Sequence, residues 1–260
     1  MALNNLEGQT ELEIVNKLHE FRAQGKNFFS ESFETIAAFG SNAAIVHYHP
    51  TAKTNKELKS GSLLLLDSGA QYYDGTTDIT RTIAIGKPTQ EMINNFTLVL
   101  KGHIRLSQAL FPQGTTGQNL DALARLDLWK EGKDYHHGTG HGVGCFLNVH
   151  EGPLRISTSG STYPLQAGMI TSIEPGYYKE NAYGIRIENL VEITANAQSN
   201  TLSFVPLTLV PIDKHLINDK LLNKEEKDWL NRYHERIEQT LSKELAPNVQ
   251  EWLKQACAKI

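Results

Sequence analysis

An α+β fold is what this chain predicts, and three observations predict it. Short apolar or alternating runs of strand length recur, as in residues 63–66 and 76–85. Between and after them lie stretches long enough for several helical turns, residues 89–110 and 223–245. No repeat, low-complexity stretch or linker-like segment divides the 260 residues, so a single domain over 1–260 is expected. The composition is ordinary for a soluble globular protein, 40% hydrophobic and 21% charged. A net charge of -4 argues against a general nucleic-acid binder. Cys145 and Cys257 are far apart, which is no disulfide framework and fits a reducing compartment. Without a signal-peptide pattern, and with no apolar run near the roughly 20 residues of a membrane span, the expected location is the cytoplasm, with no membrane partner.

The elements follow in order. Thr10 with Glu13 is a capping-box signature and opens a helix to about residue 23, stopped near Gly25. Residues 32–50 hold two strand-like pieces, ETIAAFG and AAIVHYH, ending at Pro50. An apolar run then delivers Asp67, and TTDITRTIAI is the returning strand that carries Asp78. Helices are expected over 89–110 and 118–131. Residues 134–152 read as irregular and rich in Gly and His. MITSIE and YGIRIENLVEIT read as strands joined by EPGYYKENAYG. Asn223 with Glu226 caps a C-terminal helix to about residue 245, and a last short helix follows Pro247, so 223–260 is a helical extension.

Chemistry concentrates in five residues: Asp67, Asp78, His141, Glu174 and Glu188. Four oxygen donors, one nitrogen donor and no thiolate carry too much charge for one structural zinc. They suit two hard or borderline divalent ions with shared carboxylates. Asp67 and Asp78 are eleven apart, which lets them face each other across an antiparallel pair, with Cβ atoms about 4.5–5.5 Å apart. A tight turn at Asp74-Gly75 would instead leave Asp67 roughly 13 Å from the partner of Asp78. A wider loop or a bulge is therefore expected between them. The glycines of HGTGHGVG make a helical His pair improbable and suit close backbone approach, so one metal-binding and one supporting histidine are expected. In YGIRIENLVEI, Ile185, Ile187 and Val191 share one face and Arg186, Glu188 and Glu192 the other. Arg186 can steady carboxylates through paired hydrogen bonds, and Glu192 is expected to be exposed.

With these five residues in this order, and with HGTGHGVG, EPGYY and GIRIEN around the last three, the chain resembles the pita-bread metallopeptidases. Methionine aminopeptidase, prolidase, creatinase and Xaa-Pro aminopeptidase belong to that group. Through DSGAQYYDGTTDITRT, LKGHI, HGTGHGVGCFLNVHEGP, GIRIEN and FVPLTLVPID it is most similar to Xaa-Pro aminopeptidases, from about Glu11 onward. The resemblance implies a curved antiparallel sheet flanked by helices and a hydrolase that removes an N-terminal residue preceding proline from a peptide. It implies Asp67 on one ion, His141 and Glu174 on the other, and Asp78 and Glu188 bridging both. Manganese is the implied metal, with cobalt or zinc as alternatives. Glu174 becomes the proton shuttle, His47 or His150 the group that steadies the developing oxyanion, and His47, His137 and His150 the substrate contacts. Tyr178 and Arg186 match supporting positions, with Tyr177, Tyr178 and His137 as candidate walls for the proline ring and His49 as structural. Creatinase-like N-terminal domains, usual in such enzymes, are absent from this chain, and a homodimer is possible. The rival readings are prolidase, methionine aminopeptidase, or a non-catalytic binding module of the same fold.

Overall fold

In a computed structural model of the chain, residues 6–160, 162–197 and 199–260 are described. The first helix, α1 (Glu11–Ala23), is capped as expected: Thr10 Oγ1 accepts from Glu13 N–H, and the Glu13 carboxylate accepts from Thr10 N–H. Strands β1 (Phe28–Glu31) and β2 (Ile36–Phe39) follow. The second expected strand, AAIVHYH, is not one: a 3₁₀ turn occupies Gly40–Ala44 and the chain then turns again. The cause is Glu11. Its fully buried carboxylate accepts from Phe39 N–H, Asn42 Nδ2, the Tyr48 hydroxyl and Lys56 N–H, which draws residues 39–56 around it.

The aspartate hairpin is built from β3 (Ser62–Ser68), β4 (Ala70–Tyr72), β5 (Gly75–Thr76) and β6 (Ile79–Ile85). Leu65 pairs with Thr82, Asp67 with Thr80, Gln71 with Thr76 and Tyr72 with Gly75. One register thus runs from base to tip and closes on the two-residue turn Tyr73-Asp74. The expected wider loop or bulge is not there, and Asp78 falls opposite Gly69 rather than Asp67. Asp67 and Asp78 are diagonal neighbours on one face, a separation of about 7–8 Å between such positions. The two arms come closest at Gly69, where a Cβ would lie 1.9 Å from the Thr77 carbonyl, so only glycine fits.

Next come α2 (Gln90–Ser107), β7 (Leu110–Pro112), α3 (Gly117–Trp129), β8 (Gly140–Gly142), β9 (Glu151–Ile156) and β10 (Ile170–Ile173). The segment read as a connection contains a strand, β11 (Gly176–Lys179), which pairs back on β12 (Tyr183–Arg186) through a turn where Asn181 has φ +57°. YGIRIENLVEIT is therefore two strands, broken at Ile187-Glu188: β12 and β13 (Asn189–Asn196). After β14 (Thr201–Pro206) come α4 (Lys224–Leu241), capped by Asn223 and Glu226 as expected, and α5 (Pro247–Cys257). The strands form sheets ordered β2-β3-β6, β1-β4-β5, β7-β14-β13-β10-β8-β9 and β11-β12, every pairing antiparallel. The helices pack against them, so the α+β class holds.

Helix α2 joins two cores. Phe96, Val99, Leu100 and Ile104 pack with Ile185 and Ile187 of the sheet region and with Trp229, Leu230 and Leu253 of α4 and α5. Its Leu106 instead packs with Phe111, Ala124, Ile173 and Val191. Each such Val, Leu, Ile or Phe side chain contributes about 1.5–3 kcal/mol on leaving water. The C-terminal helices are thus part of the main core. Among the described residues, no helix is long and apolar enough to cross a membrane.

Candidate metal centre

Alternation on the hairpin sends Asp67, Asp78 and Thr80 to one face. The break between β12 and β13 brings Glu188 to the same place: its N–H donates to Thr80 O, and the Thr80 hydroxyl donates to Glu188 Oε2 at 2.8 Å. Glu174, just past the end of β10, is fixed by its own N–H to Thr139 O and by the Ser172 hydroxyl on Oε1. His141 lies in β8, where Gly140 and Gly142 allow neighbouring carbonyls within contact of the backbone. Asp78, His141 and Glu188 present ligand atoms within 4.8 Å of one another. His141 Nε2 is 3.3 Å from Glu174 Oε1 and 3.5 Å from Asp78 Oδ2. Asp78, His141, Glu174 and Glu188 are therefore brought together, and Asp67 is near enough for its charge to raise Asp78 and Glu188.

Arg186 closes the other side. Its Nη2 donates to Asp67 Oδ2 at 2.6 Å, and its Nη1 donates to the Tyr178 hydroxyl at 2.7 Å. That hydroxyl donates to His137 Nε2, and His137 Nδ1–H donates to Gly138 O. Burial, aided by the Arg186 charge, pushes His137 down to about 3, so this imidazole is neutral and supporting. Burial opposes the charge on Arg186 too, but Tyr178, Asp67 and Glu174 outweigh it and hold the guanidinium well above its usual range. Tyr177, one residue along β11, faces the other way, toward Tyr183 and Lys133, so it is not a wall of this cleft. The alternate face of β12 and β13 is this site rather than solvent, as residues 183–191 are all buried, and Glu192 is half-buried rather than exposed.

Four carboxylates face one guanidinium here, and the electrostatics record it. Burial and then the charges of Asp67 and Glu174 hold Asp78 well above the carboxylate range. Burial and then Asp78, Glu174 and Asp67 do the same to Glu188, and burial also raises Glu174. Asp67 Oδ1 and Glu188 Oε1 are buried with no hydrogen-bond partner. His141 Nδ1 faces the Gly142 carbonyl, which can only accept, so Nδ1 carries a proton and Nε2 is the nitrogen directed at the two carboxylates. Orphaned carboxylate oxygens within such a cluster are what divalent cations satisfy, and the residues present fit that group. His150 stacks edge-on against His141 with ring centroids 4.3 Å apart, and His47 lies exposed at the mouth, near enough to lower His137 and His150. His49 is half-buried, 4.0 Å from Glu34, away from the ligands.

Three contributors escaped the sequence reading: Thr80, Ser172 and a second buried arginine, Arg81. Thr80 was findable, since it sits two residues after Asp78 on the same face. Arg81 points the opposite way, yet its Nη1 grips the Thr80 and Glu188 carbonyls while Nη2 reaches Asn189, Val210 O and the Tyr233 hydroxyl of α4. A further network lies behind His141. Arg125 of α3 binds Asp121, Asp134 and the carbonyls of Tyr135 and His137, and stacks 3.8 Å over the Tyr135 ring. The Thr139 hydroxyl donates to Asp121, and the Thr139 carbonyl receives Glu174 N–H.

A buried acidic pocket with one imidazole, on antiparallel strands, has the donor set of a divalent metal centre. The profile of metallopeptidase family M24 matches residues 1–195 and that of the family's C-terminal region matches 200–260. The chain belongs to metallopeptidase family M24, and its fold is the pita-bread fold of that family. It is 49% identical over 249 residues to a putative Xaa-Pro aminopeptidase of Saccharomyces cerevisiae, covering 94% of this chain and 33% of that protein. Against aminopeptidase P1 of Lotus japonicus it is 49% identical over 254 residues, 95% of this chain and 39% of that protein. The crystal structure of a Caenorhabditis elegans X-prolyl aminopeptidase, described as a cytosolic enzyme with a dinuclear active site, superposes with a TM-score of 0.93 at 44% identity. That match covers 96% of this chain and 42% of the other. A prolidase from Pyrococcus furiosus matches with a TM-score of 0.71 at 33% identity, over 80% and 58% of the two chains. The chain thus spans a third to about two-fifths of the length of its Xaa-Pro aminopeptidase relatives.

Proposed function

We propose that this chain carries a two-metal site that hydrolyses the bond between an N-terminal residue and a following proline in a peptide. The observation that supports it most is the pair of orphaned buried oxygens, Asp67 Oδ1 and Glu188 Oε1, inside a cluster of four carboxylates and His141. The near-half identity to Xaa-Pro aminopeptidases supplies the substrate class. In this reading Asp67, Asp78, His141, Glu174 and Glu188 would hold the ions, with Asp78 and Glu188 as the carboxylates that would be shared. When bound, such ions polarise a carbonyl and bring water to a hydroxide near neutral pH. Ligand hardness favours manganese, with cobalt or zinc as substitutes.

The chain's own groups do the rest. Glu174, raised by burial and steered by Ser172, takes the proton of the attacking water and passes it to the leaving nitrogen. His150 and His47, at the mouth, donate to the carbonyl oxygen as charge builds on it. Arg186 holds Asp67 and, with burial, keeps His137 neutral, and His137 with Tyr178 offers a wall to the proline ring. A proline amide has no N–H, so shape rather than a donated hydrogen bond selects it. The carboxylates attract the substrate's α-ammonium group, which makes the site an exopeptidase's. A cytosolic location, as stated for the nematode enzyme, and a homodimer complete the reading.

The test uses an Xaa-Pro-Yaa tripeptide and an Xaa-Pro dipeptide, with and without Mn²⁺, beside Asp78→Ala. The expected result is metal-dependent release of the first residue from the tripeptide, lost in the variant, with two ions per chain by calorimetry. Cleavage of the dipeptide alone replaces this reading with a prolidase. Two bound ions without cleavage of either peptide refutes activity of the chain by itself. No bound metal refutes the site.

A further inference from the structure

His47 is exposed and belongs to no strand, so the residues on either side of it fix where its ring stands. On one side, Val46 O faces Arg186 Nη1 at 3.4 Å, a long contact that ties the chain to the metal centre. On the other, Tyr48 is buried in a cluster with Ile36, Ala38, Ala43 and Leu65, and Tyr178 packs against the same cluster. The Tyr48 hydroxyl donates to Glu11 Oε2 at 2.8 Å.

Glu11 opens α1 and is fully buried. Besides Tyr48, its carboxylate accepts from Phe39 N–H at 2.7 Å, from Asn42 Nδ2 at 2.9 Å and from Lys56 N–H at 2.9 Å. Every one of these donors lies within residues 39–56, the segment that carries His47. Among the described residues no lysine, arginine or histidine pairs with this carboxylate, and the Lys56 ammonium goes to Ser41 Oγ instead. A buried charge satisfied by hydrogen bonds alone holds its donors firmly, because any bond left unmade is costly. The backbone donors and Asn42 shape the segment. The Tyr48 hydroxyl reaches further, since its residue is next to His47 and its ring packs toward Tyr178.

Resting on the reading of His47 as a donor to the substrate's carbonyl oxygen, we propose that Glu11 is a positioning residue for the reaction. Through the Tyr48 hydroxyl, its carboxylate sets where the His47 imidazole stands at the mouth of the metal centre. Helix α1 thereby bears on the chemistry without touching substrate.

The test is a double-mutant cycle on cleavage of an Xaa-Pro-Yaa tripeptide with Mn²⁺, joined to nuclear magnetic resonance of the metal-free chain. Tyr48→Phe keeps the buried ring and removes only the hydroxyl. Its kcat should fall about tenfold, with KM and metal stoichiometry unchanged, as a slightly displaced donor predicts. His47→Ala should cost about 10²-fold. The double variant should be no slower than His47→Ala, because both changes act through one imidazole. Glu11→Gln should behave as Tyr48→Phe does, and where thermal melting shows it unfolded, Tyr48→Phe decides. The His47 ring resonance, assigned by its loss in His47→Ala, should move in Tyr48→Phe, while that of His19, paired with Glu31, stays in place. Losses that multiply in the double variant, an unchanged kcat in Tyr48→Phe, or a bound ion lost there would each overturn the proposal. Should the wild-type chain cleave no peptide, the reading of the reaction falls. A moved His47 resonance would then still support its placement by Glu11, and an unmoved one would overturn it.

Discussion

Two clusters of buried charge meet at Thr139, and they are finished differently. In the Arg125 cluster, Asp121 receives two guanidinium hydrogen bonds and the Thr139 hydroxyl, and Arg125 spends its remaining donors on Asp134 and two carbonyls. In the metal centre, four carboxylates share one arginine, and two oxygens are left with nothing. The first arrangement is complete without a ligand and so reads as structure. The second leaves two buried acceptors unpartnered, the pattern expected of a cation site rather than of an internal ion pair. Burial alone does not separate them, as Arg125 and Arg186 are both 2% exposed.

The sharpest way to break the contrast is Asp78→Ala. It should cut peptide cleavage by about 10³-fold or more and remove tight binding of two ions, as loss of a group acting as part of a unit does. Yet it should leave the metal-free protein at least as stable, because a like charge has gone. Arg125→Met should do the reverse. Stranding Asp121 costs about 3–5 kcal/mol, read by denaturant unfolding, with any loss of activity following from stability. Arg186→Lys, which keeps the charge but not the fork, should weaken metal binding about 10–100-fold with a smaller loss of stability.

Acid separates the clusters by sign. Asp78 is raised in the folded chain, so the stability associated with it is present below the unfolded carboxylate pKa of about 4 and is lost as pH rises through the higher folded value. Asp134 is lowered: burial opposes this, but hydrogen bonds from Trp129 and Arg125 win, so its contribution is present above that pKa and lost as pH falls through its lowered folded value. Unfolding of the metal-free protein with Asp78→Asn should therefore show a stability advantage over wild type that grows from pH 4 upward. An advantage that shrinks with rising pH would refute the crowding described for the site. The smallest effect is expected of Thr139→Val, about 1–2 kcal/mol for the lost hydroxyl. Its activity should fall several-fold through Glu174, whose N–H rests on the same residue.

How much of this could be read in the chain depends on how local each determinant is. The capped helices at Thr10 and Asn223 were legible because a cap is decided within four residues. The grouping of four acids and an imidazole was legible because few structural needs place such residues at strand ends and among glycines, and Asp78, His141 and Glu188 do come together. The register of the hairpin was not, since Asp74-Gly75 is the stronger turn signal while the observed turn sits one residue earlier, at Tyr73-Asp74. AAIVHYH failed as a strand because Glu11, more than twenty residues away, takes up the backbone around it. The strand at Gly176–Lys179 was hidden in an apparent connection because its partner is created only by the turn at Asn181. Side-chain direction was missed for the same kind of reason: Tyr177 and Tyr178 are alike in sequence, and only the strand between them sends one to the metal centre and the other to the core.

Arg81 is held by Tyr233, 152 residues further along the chain. At about 5–20 residues per second of synthesis, the arginine leaves the ribosome roughly 8–30 seconds before its partner exists. During that interval the back of the hairpin carries a cation and an apolar surface with no α4 or α5 to cover them. Truncations short of α4 should therefore accumulate poorly, read as soluble yield, even with Asp67, Asp78, His141, Glu174 and Glu188 all present.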